Sequence, residues 1–96
     1  MNDLHSWFRE KYPMHSGALL LNFGCTVDYD VVLSIKNNKY NGLYIDVVKS
    51  GKNYSQADVH ALFSLRRAGY KTEVCASDGA VKHVIAEYLG FIGKAD

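Results

Sequence analysis

The alternation of apolar and polar residues from Val27 to Ile35 limits the fold more than any other stretch of this chain. Val27, Tyr29, Val31, Leu33 and Ile35 share one parity, and Asp28, Asp30, Val32 and Ser34 share the other. Side chains on a strand alternate between faces with a period of two, so the pattern predicts a strand with one face on a core. The segment Lys36-Asn37-Asn38-Lys39-Tyr40-Asn41-Gly42 that follows is rich in turn formers, and Leu43 to Lys49 resumes an apolar strand. Two strands joined this way form an antiparallel hairpin. If it turns about Asn38, Asp30 stands opposite Asp46, Asp28 opposite Val48, and Val32 opposite Tyr44. Like charges placed directly opposite are destabilising, so the Asp30/Asp46 pair needs a cation, a shared proton or open solvent.

The rest of the chain surrounds this hairpin. Leu4, Trp7 and Phe8 recur at helical spacing between Asp3 and Tyr12, with Asn2 or Asp3 as cap, and Pro13 ends that helix. Ala18 to Phe23 is a short apolar run bounded by Gly17 and Gly24, as expected of a buried strand. Ser55 followed by Asp58 resembles a capping box, ahead of an apolar stripe of Val59, Leu62, Phe63 and Leu65, with Arg66 and Arg67 in the last turn and Gly69 as the stop. Tyr70 to Ala76 reads as a strand, and Ser77-Asp78-Gly79 opens a helix whose core face is Val81, Val84, Ile85, Tyr88 and Leu89, ended by Gly90. The tail from Phe91 is expected to fray. This order predicts an α/β fold, a single domain over residues 1–96, with a mixed sheet in the order α-β-β-β-α-β-α.

Composition narrows the function classes. A chain of 96 residues with 48% hydrophobic content is enough for one core and no more. No apolar run approaches the roughly 18 residues of a membrane span, and charges occupy the region where a signal peptide would be apolar, so a soluble cytoplasmic protein without a membrane partner is expected. Cys25 and Cys75 lack C-x-x-C spacing and read as small buried side chains. His5, His15, His60 and His83 lack metal-ligand spacing. The formal net charge of +1 gives no overall basic signal, yet Lys36, Lys39, Lys49 and Lys52 lie among Asn37, Asn38, Asn41, Asn53, Tyr40 and Tyr54. Such a mixture suits phosphate contacts, and Lys36, Lys39 and Lys52 are candidate nucleic-acid-binding residues, although a solvated loop would look the same.

The run Tyr40-Asn41-Gly42-Leu43-Tyr44-Ile45-Asp46, then Ser50-Gly51, Ser55, Leu62, Leu65, Ala68-Gly69-Tyr70, Val74-Cys75 and Ala86-Glu87-Tyr88-Leu89-Gly90, resembles the virus-type replication-repair nuclease (VRR-NUC) domain of the PD-(D/E)xK superfamily. The resemblance covers roughly residues 17 to 90 and rests on the order of its parts. It implies a restriction-endonuclease-like core, a phage or bacterial setting, a homodimer, and Mg²⁺- or Mn²⁺-dependent cleavage of branched or flap DNA. Under it, Asp30 and Asp46 are the catalytic metal ligands, with Tyr29 where the family has proline and Asp46 where it usually has glutamate. The family's lysine falls two residues after the second acid, and that position is Val48; Lys49 comes one residue late. On a regular strand Lys49 leaves by the opposite face, so a catalytic role for it needs a bulge or a side chain that wraps an edge. Gln56 or Asp58 could answer the family's downstream glutamine, and Asp3 or Glu10 its N-terminal glutamate.

Three functions fit these residues. One is a protein with a nuclease fold that binds structured nucleic acid and whose cleavage is impaired or lost with the displaced lysine. Another is an active metal-dependent endodeoxyribonuclease using Asp30, Asp46 and Lys49. The third is a phage-type inhibitor acting through a protein partner. Whether the chain is an enzyme is left open by the sequence, since a fold alone carries no activity.

Overall fold

A computed structural model of the protein describes residues 4–23, 27–51 and 56–90. Helix α1 (Leu4–Lys11) and a short 3-10 turn (Pro13–His15) lead into strands β1 (Leu19–Phe23), β2 (Tyr29–Leu33) and β3 (Gly42–Val47). Helix α2 (Gln56–Arg67), strand β4 (Tyr70–Cys75) and helix α3 (Asp78–Leu89) complete the chain. This is a mixed α/β domain in the expected order α-β-β-β-α-β-α. No helix among the described residues is long and apolar enough to cross a membrane.

The four strands lie in the sheet order β1-β2-β3-β4, antiparallel in the first two pairings and parallel between β3 and β4. The parallel step arises because α2 carries the chain back across the sheet, which a tight turn cannot do. Parity along the strands divides the sheet into two faces. The inner face carries Tyr29, Val31, Leu33, Leu43, Ile45 and Val47, all buried, and receives Leu4 and Phe8 of α1 with Val81, Ile85 and Tyr88 of α3. Cys75 joins that core as a small buried side chain, while Cys25 lies outside the described residues. The outer face carries Asp30, Val32, Tyr44 and Asp46, all half-buried, and α2 packs against its β4 side.

Local chemistry explains where the elements stop. Pro13 lacks the N–H that would continue α1, and the chain turns through the 3-10 segment instead. The Ser77 hydroxyl accepts from the Ala80 N–H at 3.2 Å and caps α3. Gly69 takes φ +92°, a left-handed conformation that ends α2 at little steric cost. The caps expected at Asn2, Asp3 and Ser55, and the tail from Phe91, lie outside the described residues.

Helix α2 departs from expectation. Its stripe of Val59, Leu62, Phe63 and Leu65 was expected to enter a core, yet no residue of α2 is buried; Leu62 and Leu65 are half-covered, and Val59 and Phe63 are exposed. The reason is the surface beneath it: the outer face offers carboxylates, a tyrosine and Thr72 in place of a continuous apolar layer.

Candidate functional site

The hairpin register pairs Asp30 with Asp46 and Val32 with Tyr44, and across the neighbouring strands Asn22 stands beside Asp30 and Val74 beside Asp46. An outer-face row therefore runs Asn22, Asp30, Asp46, Val74 from edge to edge. Both carboxylates belong to residues that are half-buried. Tyr44 occupies the next row, and its hydroxyl hydrogen-bonds the Asp30 carboxylate across the diagonal that a long side chain can span. Burial, then Asp30 and Asp46, drive the Tyr44 phenol well above its ordinary range, because each of them opposes a phenolate there. Tyr44 is thus a neutral hydrogen-bond donor on the acidic row. The sequence carried this signal in Tyr44's shared parity with Asp46.

Asp58 of α2 contributes further negative potential at Tyr44 and is half-buried, so the helix brings this carboxylate toward the acidic row. Gln56, the first residue of α2, is exposed. Glu10 sits exposed on α1, whose Leu4 and Phe8 enter the inner core; it belongs to the layer opposite Asp30 and Asp46. Asp3 lies outside the described residues.

The chain beyond β3 is clamped by Asp28. Its Oδ1 accepts the Lys49 and Ser50 backbone N–H groups, both at 2.8 Å, and its Oδ2 accepts the Ser50 hydroxyl at 2.7 Å. The Val48 N–H donates to the Cys75 carbonyl at 2.8 Å, so Val48 still pairs with β4 and leaves Lys49 to point away from the outer face. The Lys49 ammonium reaches Asp78 at the start of α3, 2.9 Å from Oδ1 and 3.1 Å from Oδ2, and lies 5.4 Å from the centroid of the inner-face Tyr29 ring. Tyr29 donates its hydroxyl to the same carboxylate at 2.5 Å. These contacts, the tyrosine first and the lysine second, hold the Asp78 carboxyl below the usual range. Lys49 thus ties β3 to α3 on the inner side of the sheet.

Lys36 and Lys39 are exposed on the β2–β3 loop, at the opposite end of β2 from Asp30; Lys52, Asn53 and Tyr54 lie outside the described residues. Asn37, read from sequence among the phosphate-contacting residues, is instead buried. Its Oδ1 accepts the Lys39 N–H at 2.9 Å and the Tyr40 N–H at 2.7 Å, while Nδ2 donates to the Tyr88 carbonyl at 3.1 Å. An asparagine satisfying its own loop is unavailable to a ligand.

No group of three or more His, Cys, Asp or Glu side chains arranged to hold a metal occurs among the described residues. Asp30 and Asp46 alone supply two carboxylates, which suits an ion of the Mg²⁺ class that keeps water and takes its remaining ligands from a phosphate. No family model, curated protein or solved structure matches this chain.

Proposed function

We propose that this is a small nuclease-fold protein of the VRR-NUC kind that binds structured nucleic acid, with phosphodiester cleavage impaired or lost. The observation supporting it is the division of the motif between two faces: Asp30 and Asp46 oppose each other on the outer face, and Lys49 binds Asp78 beside Tyr29. Asp30 and Asp46 would hold Mg²⁺ or Mn²⁺, an ion that activates water and neutralises phosphate charge. Tyr44 turns its one hydroxyl proton to the Asp30 carboxylate and orients it, so it brings no charge and no spare donor to a phosphate oxygen. A neutral phenol supplies less charge than an ammonium. Losing one preorganised donor at a developing anion costs on the order of 10²–10³ in rate, so binding outlasts turnover. The resemblance implies a homodimer acting on branched or flap DNA in the cytoplasm of a bacterium or phage-infected cell.

A second reading, contact with a host protein, is favoured by the exposure of Leu20 and Val74 on the outer face, 58% and 50%. Flap and four-way-junction DNA incubated with the protein in Mn²⁺ separates the possibilities. The expected result is a shifted band without cutting. Cutting that Asp30→Ala abolishes would make the chain an active nuclease, and an inert protein that shifts no DNA would move the assignment to protein contact.

A further inference from the structure

At the end of the sheet away from Asp28, the β2–β3 loop and the α2–β4 turn are fastened together. The Asn41 N–H donates to the Gly69 carbonyl at 2.8 Å, and its side-chain amide donates to the Ala68 carbonyl at 2.9 Å. A Cβ on Gly69 would lie 2.4 Å from that amide, and one on Gly42 would lie 2.5 Å from the Tyr70 ring. Two glycines thus let the segments close and seat the ring against the β3 backbone. Between them opens a cavity of about 390 Å³, within the size range of small-molecule sites.

Its lining combines cations with aromatic rings. Lys39 comes from the loop, Arg66 from the last turn of α2 and Lys71 from β4, with Tyr40 and Tyr70 as walls. Arg66 is held by its Nε, which donates to the Thr72 hydroxyl at 2.6 Å, and its guanidinium lies 6.0 Å from the centroid of the Phe63 ring. Lys71 pairs with Glu73 at 3.0 Å and lies 5.7 Å from the centroid of the Tyr40 ring. Three cationic side chains thus line one opening, with the Glu73 carboxylate on Lys71. A guanidinium fixed at Nε and set over a ring keeps its terminal N–H donors in one plane, a geometry suited to phosphate oxygens. Tyrosine rings at the same opening offer a planar base a stacking surface.

We infer that this cavity is a nucleotide-phosphate site, in which Arg66, Lys39 and Lys71 receive the phosphate and Tyr40 or Tyr70 receives the base. The ligand is a nucleotide, either free or as part of a strand. The site is independent of the acidic row, so it stands whether or not Asp30 and Asp46 bind metal.

The test is a titration of the ¹⁵N-labelled full chain with dAMP, followed by amide shifts. The amides of Tyr40, Tyr70, Lys71 and Thr72 should move together and saturate below about 10 mM, where even a millimolar site is filled. Arg66→Gln and Lys39→Gln should each weaken binding about tenfold, as loss of a charged hydrogen bond does, while Lys36→Gln outside the cavity leaves it unchanged. Deoxyadenosine, lacking the phosphate, should bind at least as poorly as those variants bind dAMP. A 5′-phosphorylated tetrathymidylate moving the same amides identifies a strand as a source of the ligand, and dAMP alone moving them identifies the free nucleotide. Unmoved amides with both probes, or equal affinity in both folded variants, would overturn the assignment.

Discussion

Replacing Asn37 with alanine should destabilise the protein more than any other polar substitution in the β2–β3 loop. The side chain serves three backbone groups at once: the N–H groups of Lys39 and Tyr40 at 2.9 and 2.7 Å, and the Tyr88 carbonyl at 3.1 Å. The last is a carbonyl in the final turn of α3, which also receives the Gly90 N–H of the C-cap. Alanine removes all three contacts and leaves the groups partly enclosed. Each net hydrogen bond contributes about 1 kcal/mol, so the loss is about 2–3 kcal/mol, reduced where water reaches the loop N–H groups. For a domain of this size that lowers Tm by about 10–20 °C. Thermal unfolding followed by circular dichroism measures it, with Lys36→Ala as the control on an exposed neighbour in the same loop. A fall within about 3 °C of that control, less than 1 kcal/mol is worth here, would show that the network does not hold the loop.

Other substitutions probe the site and its supports. Val48→Lys restores a cation to the parity of Asp46, and a gain in Mn²⁺-dependent flap cleavage of about 10²–10³ is expected; a folded but inert variant would refute the displaced-lysine account. The Asp78 carboxyl is depressed in the folded state, so its contribution to stability is full above about pH 4 and is lost as pH falls through the folded-state value. Asp78→Asn should therefore flatten the acid limb of a pH series of melts, and an unchanged limb would remove the Tyr29 and Lys49 contacts as its cause. Gly42→Ala should cost about 1–3 kcal/mol by displacing the Tyr70 ring, measured by urea unfolding.

The hairpin was legible in the sequence because it is local: alternation gave the faces, and a turn centred near Asn38 gave the register that pairs Asp30 with Asp46. The Ser77 cap and the Gly69 stop were legible for the same reason, each being fixed by residues a few positions away. The inner core followed from parity and helical spacing. The partner of Lys49 did not, since Asp78 lies 29 residues on and belongs to another element. Asn37 looked like a surface residue because its type is polar, and only its contact with Tyr88, 51 residues distant, buries it. For α2 the periodicity was present, but periodicity cannot tell how apolar the opposing face will be.

Helices α2 and α3 have the same length, 12 residues, yet α3 buries Val81, Ile85, Tyr88 and Leu89 while α2 only half-covers Leu62 and Leu65. With less apolar area holding it, α2 should open locally at a lower free energy than α3. Amide protons of residues 56–67 should accordingly exchange by a route that leaves the sheet intact. Asp58 would leave with the helix, stripping one carboxylate's potential from Tyr44. Opening of α2 would therefore change the electrostatics of the acidic row at constant pH.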